Sequence, residues 1–384
     1  MKITNFETFV VQPRWVFLKV TTDEGLVGWG EPNLEGKPEA VLGAIRELED
    51  YFVGVDPRRT EHHWQAVYRG SFYHRGAVLN SALAGIDQAL WDIKGKRLGV
   101  PVHELLGGPT RNRIRVYGPV VGDESPERLD GSPDLLAERA RDRVEAGFTA
   151  VKMIPFTETW PVDTPAAVTR ITDAVAAVRE AVGDDVDVAI DAHGKLSPAM
   201  ARRVGGVLEP YDPMFIEEPV RPEHDHRLPD LREHTSVPFA TGERRFSRWD
   251  FREVFDRGGV DVVQPDLSHA GGISEVRRIA AQAETHGVAL APHCPLGPVA
   301  LASSVQLDAA IPNFLIQELP GFYGGDHNRY TVEGFEIEDG AVVVPDRPGL
   351  GVDLDEDALR DPENQGHDQY IPVRYHDDGS VADW

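Results

Sequence analysis

From Asp191 to Glu318 the chain repeats one pattern, a short apolar run ending in an ionisable residue: VDVAIDAHG, PMFIEEP, PFATGE, VDVVQPD, VALAPH and FLIQEL. The ends are Asp191 with His193, Glu217, Glu243, Asp266, His293 and Glu318, spaced roughly 25 residues apart, the length of a strand, a helix and two loops. Apolar runs that do not alternate with polar residues suit parallel strands covered on both faces, so the pattern predicts repeated βα units closing into a barrel. Upstream, IRVYG from Arg113 and AVKMI (150–154) read as the first two barrel strands, with helices over 133–146 and 165–182 and a third strand from Val186. That makes eight strands, whose C-terminal ends converge on one mouth.

The first hundred residues have a different rhythm. KITNFETFVV, RWVFLKVTT and LVGWGEP read as a strand meander, followed by helical patterns over 38–51, 60–68 and 81–98. Strands and then helices, ahead of any βα alternation, predict a separate α+β module. The expected organisation is a capping domain over 1–112, a barrel over 113–320, and a C-terminal segment, 321–384, that carries a late strand GAVVVP and returns to the cap.

Composition narrows the class. At 384 residues, the chain suffices for a barrel of about 250 residues and a second module. Its single cysteine, Cys294, forms no intramolecular disulfide, and the N-terminus lacks the apolar core of a signal peptide, so a cytoplasmic protein is expected. A net charge of −25 argues against nucleic acid and against anionic membranes as partners. The acids are spread along the whole chain and lysine is scarce, which reads as a surface adapted to high salt.

The strand ends suggest a reaction. Asp191, Glu217 and Glu243, on consecutive strands, offer hard oxygen ligands without thiolate, which suits Mg2+. His293 with Asp266 on the neighbouring strand makes a base whose tautomer is held by a carboxylate. His193, two residues beyond Asp191, is placed to protonate a leaving hydroxyl, and Glu318 to contact enolate oxygens. Together they describe α-proton abstraction followed by loss of a β-hydroxyl. An isolated acid after a strand is more often a helix cap or a solvated loop residue; it is the three at equal spacing that favour a site. Lys152 is either a site residue or a barrel-filling side chain. His62-His63 and His224-Asp225-His226 read as solvated surface, and Gly271-Gly272 as a loop rather than an anion site.

RWVFLKVTTDEGLVGWGEP, AGIDQALWDIKGK, EPYDPMFIEEPV, TGERRFSRWDF, QPDLSHAGGI and LAPHCPLGP resemble the mandelate racemase subgroup of the enolase superfamily, its galactonate dehydratases above all. The pairing of a Lys or His base with Mg2+ is that superfamily's general pattern. The resemblance implies an α/β fold, a modified TIM barrel of (β/α)7β form with an N-terminal α+β capping domain completed by C-terminal residues. It implies Mg2+ on Asp191, Glu217 and Glu243, His293 oriented by Asp266 as the base at carbon 2, His193 as the acid and Glu318 as transition-state stabiliser. A sugar acid is the expected substrate, with galactonate, gluconate and xylonate as candidates, and the expected product is the 2-keto-3-deoxy acid. Racemisation or epimerisation of a hydroxy acid, and non-catalytic binding of a sugar acid, are the alternatives. A homo-oligomer is implied, an octamer being the form the family suggests. The cap loops around 25–35 and 71–76 would close over the substrate. Two segments depart from the galactonate enzymes, Ile154-Pro155 with Trp160 after strand two and His74-Arg75 in the cap; with Lys152 these are candidate substrate contacts.

Overall fold

Alternating burial makes the first strand, β1 (Ile3–Val11), which turns Ile3, Phe6, Phe9 and Val11 inward. The structure, a computed structural model, describes residues 1–74, 76–120, 132–320, 326–367 and 373–383. Strand β1 pairs antiparallel with β2 (Trp15–Thr22), which pairs antiparallel with β3 (Val27–Gly30), giving the expected meander. Helices α1 (Pro38–Phe52), α2 (Thr60–Gly70) and α3 (Ala77–Leu98) follow, then the short α4 (Val102–Leu105). Helix α3 approaches β3 so closely that a Cβ on Gly28 would stand 2.2 Å from the Ala89 carbonyl oxygen, and one on Gly30 1.9 Å from that of Gly85. The VGWG run is therefore what lets the helix lie on the sheet.

The barrel strands are β4 (Arg113–Pro119), β5 (Ala150–Met153), β6 (Asp187–Asp191), β7 (Phe215–Glu217), β8 (Phe239–Thr241), β9 (Val262–Val263), β10 (Ala289–Leu290) and β11 (Gln317–Glu318). Between them run α5 (Pro133–Glu145), α6 (Pro165–Val182), α7 (Pro198–Leu208), α8 (Leu228–Arg232), α9 (Arg248–Arg257), α10 (Gly272–Glu284) and α11 (Pro298–Ala310). Strands β4 to β10 lie side by side in chain order, all parallel, and β11 pairs with β4. A parallel bridge from Leu290 to Phe314 closes the ring between the last two strands. Inside, Tyr117, Ala150, Ala189, Phe215, Ala240, Val262, Ala291 and Ile316 pack as one buried cluster. Because side chains alternate across a strand, the next inward position lies two residues on, nearer the mouth. From Ala150, Ala189, Phe215, Ala291 and Ile316 that step reaches Lys152, Asp191, Glu217, His293 and Glu318.

Two cap carboxylates reach across to the barrel helices. Asp87 of α3 accepts from the Ser274 backbone N–H at 2.9 Å and from its hydroxyl at 2.6 Å, at the start of α10. Glu31, just past β3, accepts from the backbone N–H groups of Gly297 at 2.6 Å and Ala300 at 2.9 Å, at the start of α11. Both helices follow a glycine, so the cap supplies the acceptors that their own preceding residues lack. Gly271-Gly272 is thus a helix start filled by Asp87, more ordered than a plain loop.

The C-terminal segment divides in three, where a single return to the cap was expected. After α12 (Asp326–Tyr330), β12 (Ile337–Glu338) and β13 (Ala341–Val343) form a hairpin whose second strand pairs antiparallel with barrel strand β4. The GAVVVP strand thus belongs with the barrel, because the N-terminal half of β4 extends past its parallel neighbours and leaves an edge to cover. Residues 349–366 do go to the cap: Gly349 accepts from Val102 at 2.9 Å, Lys96 pairs with Asp353 at 2.6 Å, and Arg360 of α13 (Glu356–Arg360) pairs with Glu7 at 2.6 Å. A last hairpin, β14 (Arg374–Tyr375) with β15 (Val381–Ala382), lies on the barrel loops. There Arg374 pairs with Glu158 at 3.2 Å and His376 stacks on Trp160 at 3.9 Å.

Candidate active site

The parallel register brings the charged strand ends level with one another: Asp191 is the direct neighbour of Glu217 across β6 and β7. At the centre is Lys152, buried, with Nζ 3.1 Å from Asp191 Oδ2, 3.0 Å from Glu217 Oε2 and 2.9 Å from Glu318 Oε1. Burial opposes its charge, yet Glu217 and then Glu318 hold the ammonium well above its ordinary range. It also lies 5.2 Å from the Tyr117 ring below. Lys152 thus lies within the cluster, paired with three of its carboxylates.

His193 donates its backbone N–H to Asp191 Oδ1 at 3.0 Å and has Nε2 3.2 Å from Asp191 Oδ2. Its φ of 47° puts a non-glycine residue in the left-handed region, as does Glu218 at 39°. Backbone strain of this kind at adjacent strand ends survives only where hydrogen bonds hold it. Here Gly194 N–H reaches the Glu218 carbonyl at 2.8 Å, and Glu218 N–H the Ala240 carbonyl at 2.9 Å.

On the opposite wall, His293 Nδ1 meets Asp266 Oδ2 at 2.8 Å, and the other Asp266 oxygen accepts from Ser268 N–H at 2.6 Å. This leaves Nε2 facing the cavity, 3.4 Å from Glu243 Oε2 and 4.0 Å from Glu318 Oε2. Glu318 Oε2 also accepts from the Cys294 backbone N–H at 2.7 Å.

Negative charge is in excess. Burial, then the charge of Asp191, pushes Glu217 up to about 8, and burial, then Glu218, pushes Glu243 up to about 7. Asp191 goes the other way: although burial resists, His193 and Lys152 hold it well below the carboxylate range. Glu217 Oε1 and Glu243 Oε2 are buried without a hydrogen-bond partner among the described residues. A buried carboxylate oxygen in that position costs several kcal/mol on the order of a lost charged hydrogen bond. An all-oxygen set with unsatisfied atoms fits a hard divalent cation. As the side chains lie, no three of these groups among the described residues stand in coordinating geometry, since Lys152 bridges the carboxylates and Glu243 turns toward His293.

All seven sequence-derived strand-end residues therefore meet around one mouth, with Lys152 among them. His74 does not join them; it is exposed and packs against Tyr68 at 5.3 Å between ring centroids. Arg75 lies outside the described residues. His63 is a correction to the solvated reading: it is buried, hydrogen-bonded to the Asp56 carbonyl at 2.8 Å and to the Tyr51 hydroxyl at 2.9 Å. Asp225 is likewise buried and paired with Arg245. Sequence reading passed over Glu218, which pairs with Arg244, although its place beside Glu217 in the EEP run marked it. It also passed over Glu35 and His269, which meet at 3.3 Å behind Asp266; only the three-residue step from Asp266 to His269 hinted at it.

Two protein families match the chain. Residues 4–107 match the mandelate racemase / muconate lactonizing enzyme N-terminal domain, and 135–358 the enolase C-terminal domain-like family. The D-galactonate dehydratase of Verminephrobacter eiseniae is 47% identical over 390 residues and that of Xanthomonas oryzae 46%, each alignment covering all of both chains. Among solved structures, an enolase from Agrobacterium radiobacter with bound Na and L-malate superposes with a TM-score of 0.90 at 34% identity, over 100% of both chains. A mandelate racemase/muconate lactonizing enzyme from a Jannaschia species gives 0.89 at 33%, covering 97% of this chain and 99% of that one.

Proposed function

We propose a dehydration from this premise: the chain belongs to the mandelate racemase / muconate lactonizing enzyme family of enolase-like proteins. It is a hydro-lyase acting on a sugar acid, in keeping with its full-length likeness to D-galactonate dehydratases. Galactonate is the first substrate to try, with gluconate and xylonate beside it.

Asp191, Glu217 and Glu243 would hold Mg2+, and the buried Glu217 Oε1, which has no hydrogen-bond partner among the described residues, supports that assignment. When bound, such an ion neutralises the excess carboxylate charge and makes the proton beside a substrate carboxylate more acidic. The chain's own groups do the rest. His293 Nε2, facing the cavity because Nδ1 is committed to Asp266, takes the proton from carbon 2. The electron pair left behind expels the 3-hydroxyl, which His193 protonates so that it departs as water. The resulting enol gives up its hydroxyl proton at carbon 2 and gains a proton at carbon 3, becoming the 2-keto-3-deoxy acid. Lys152, tied to Glu318, supplies positive charge beside the carboxylate oxygens as negative charge develops there.

The observation that carries this reading is the placement of two histidines on opposite sides of one carboxylate cluster, His293 locked by Asp266 and His193 by Asp191. Aldonates incubated in D2O with Mg2+ and followed by NMR test it. His293→Asn should abolish both carbon-2 exchange and product, a loss on the order of 10³-fold or more, whereas His193→Asn should keep exchange while losing product. The reverse pattern swaps the two roles, and exchange without any keto-deoxy product replaces dehydration with epimerisation.

A further inference from the structure

The His293 and Asp266 pair continues into the cap through a buried histidine that the proposed reaction does not use. His269 follows Asp266 by three residues, and the turn before α10 brings its ring back so that Nε2 lies 3.8 Å from Asp266 Oδ2. That is the same oxygen that holds His293 Nδ1 at 2.8 Å. The other two side-chain partners of His269 both come from the cap. Ser81 Oγ of α3 is 3.1 Å from Nδ1, and Glu35 Oε2, in the loop after β3, is 3.3 Å from Nε2. The ring lies between two carboxylates, and although burial opposes its charge, Asp266 and Glu35 raise His269 to about 9.

One carboxylate oxygen thus faces two imidazoles. His269, held from the cap by Glu35 and Ser81, packs behind Asp266 and limits where that carboxylate can turn. With Glu35 in place, Asp266 keeps Oδ2 on His293 Nδ1 at 2.8 Å. With Glu35 lost, Ser81 alone among the described cap residues holds the His269 ring, Asp266 loses its backing, and the hold on His293 loosens. The cap makes a second, independent contact with the same strand end: Arg14, in the turn between β1 and β2, donates from Nη2 to the Pro295 carbonyl at 2.7 Å, two residues past His293.

We propose that Glu35 and His269 are positioning residues that fix Asp266 and, through it, the orientation of the His293 ring toward the cavity. Proton abstraction then depends on a contact that the cap makes with the barrel. The proposal rests on His293 being the base of the reaction above.

Glu35→Gln keeps the shape of the side chain and removes its charge. With D-galactonate, carbon-2 exchange and dehydration should both fall about 10–100-fold, as for other groups that orient a reacting residue from behind, with KM within about 2-fold of wild type. Glu35→Asp should recover part of the loss, His269→Gln should show a similar loss, and the double variant should be no slower than His269→Gln alone. A rise in KM with kcat unchanged would instead make Glu35 a substrate contact and overturn the proposal, as would independent, multiplying losses in the double variant. A substrate-free measurement separates this idea from the dehydratase reading: the ¹⁵N shifts of the His293 ring should move in Glu35→Gln. Unmoved shifts overturn the positioning role. Shifts that move in a protein whose wild type turns over no aldonate uphold the positioning role and overturn the dehydratase reading.

Discussion

Asp308 lies fully buried in α11, and neither of its carboxylate oxygens has a hydrogen-bond partner among the described residues. Burial, only partly offset by the charge of Arg111, raises its pKa well above the ordinary 3.8. The sign of the consequence follows from proton counting. Between about 4 and the raised folded value, the unfolded chain binds fewer protons at this site than the folded one, so stability falls as pH rises. Asp308→Asn removes that one contribution. Its stability advantage over wild type should therefore grow by about 1.4 kcal/mol per pH unit above pH 4, up to the folded pKa of Asp308. Urea unfolding of both proteins across pH 4–8 checks it, and a constant difference would mean that Asp308 ionises freely in the fold. At this scale the sequence was legible where a residue's role follows from its own strand. Asp191, Glu217 and His293 announce themselves as the next inward step from a small or apolar barrel residue. Asp308, Glu35 and His269 carry no such local mark, since burial or partners from distant segments decide what each does.

At the scale of elements, the strands and helices were readable from periodicity because each buries a face that its own sequence prepares: α1 over Pro38–Phe52 and α6 over Pro165–Val182 lie where the pattern put them. The division of the C-terminal segment was not readable. Whether a two- or three-residue strand such as Ala341–Val343 pairs with the cap or with β4 depends on which edge is open, a property of the assembled barrel. The same holds for the helix starts that the cap completes. Asp87 lies mid-helix in α3, where a sequence reader sees only a polar interruption, yet it accepts from two Ser274 donors at the start of α10. Asp87→Ala should strand those donors and destabilise the protein by about 1–3 kcal/mol, while Asp87→Asn, which keeps an acceptor, should lose less. Denaturant midpoints at unchanged m-value measure this. Because α10 follows directly from the Asp266 to His269 turn, Asp87→Ala should also slow turnover of any aldonate; full activity in a destabilised variant would show that the helix start does not position that turn.

For the whole molecule, the quantity that matters is the imbalance of 64 acidic against 39 basic side chains. Many of the surface pairs that offset it are exposed, such as Arg58 with Asp56 and Arg113 with Glu338, and contribute little each. What remains is a repulsion spread over the surface, which salt weakens as the Debye length shortens from about 10 Å at 0.1 M to about 3 Å at 1 M. The unfolding temperature should therefore rise with KCl at fixed Mg2+, and the shape of the rise is diagnostic. Simple screening of exposed charges is nearly complete once the Debye length is below the usual spacing between surface carboxylates, so a rise that levels off near about 0.5 M reflects repulsion alone. A rise in both unfolding temperature and kcat that continues into molar KCl marks a surface adapted to high salt. An unfolding temperature that does not change between low and molar KCl would mean that the paired, buried charges of the mouth and the cap boundary, which salt hardly reaches, dominate the electrostatics of the fold, and the reading of the acidic surface as a salt adaptation would fail.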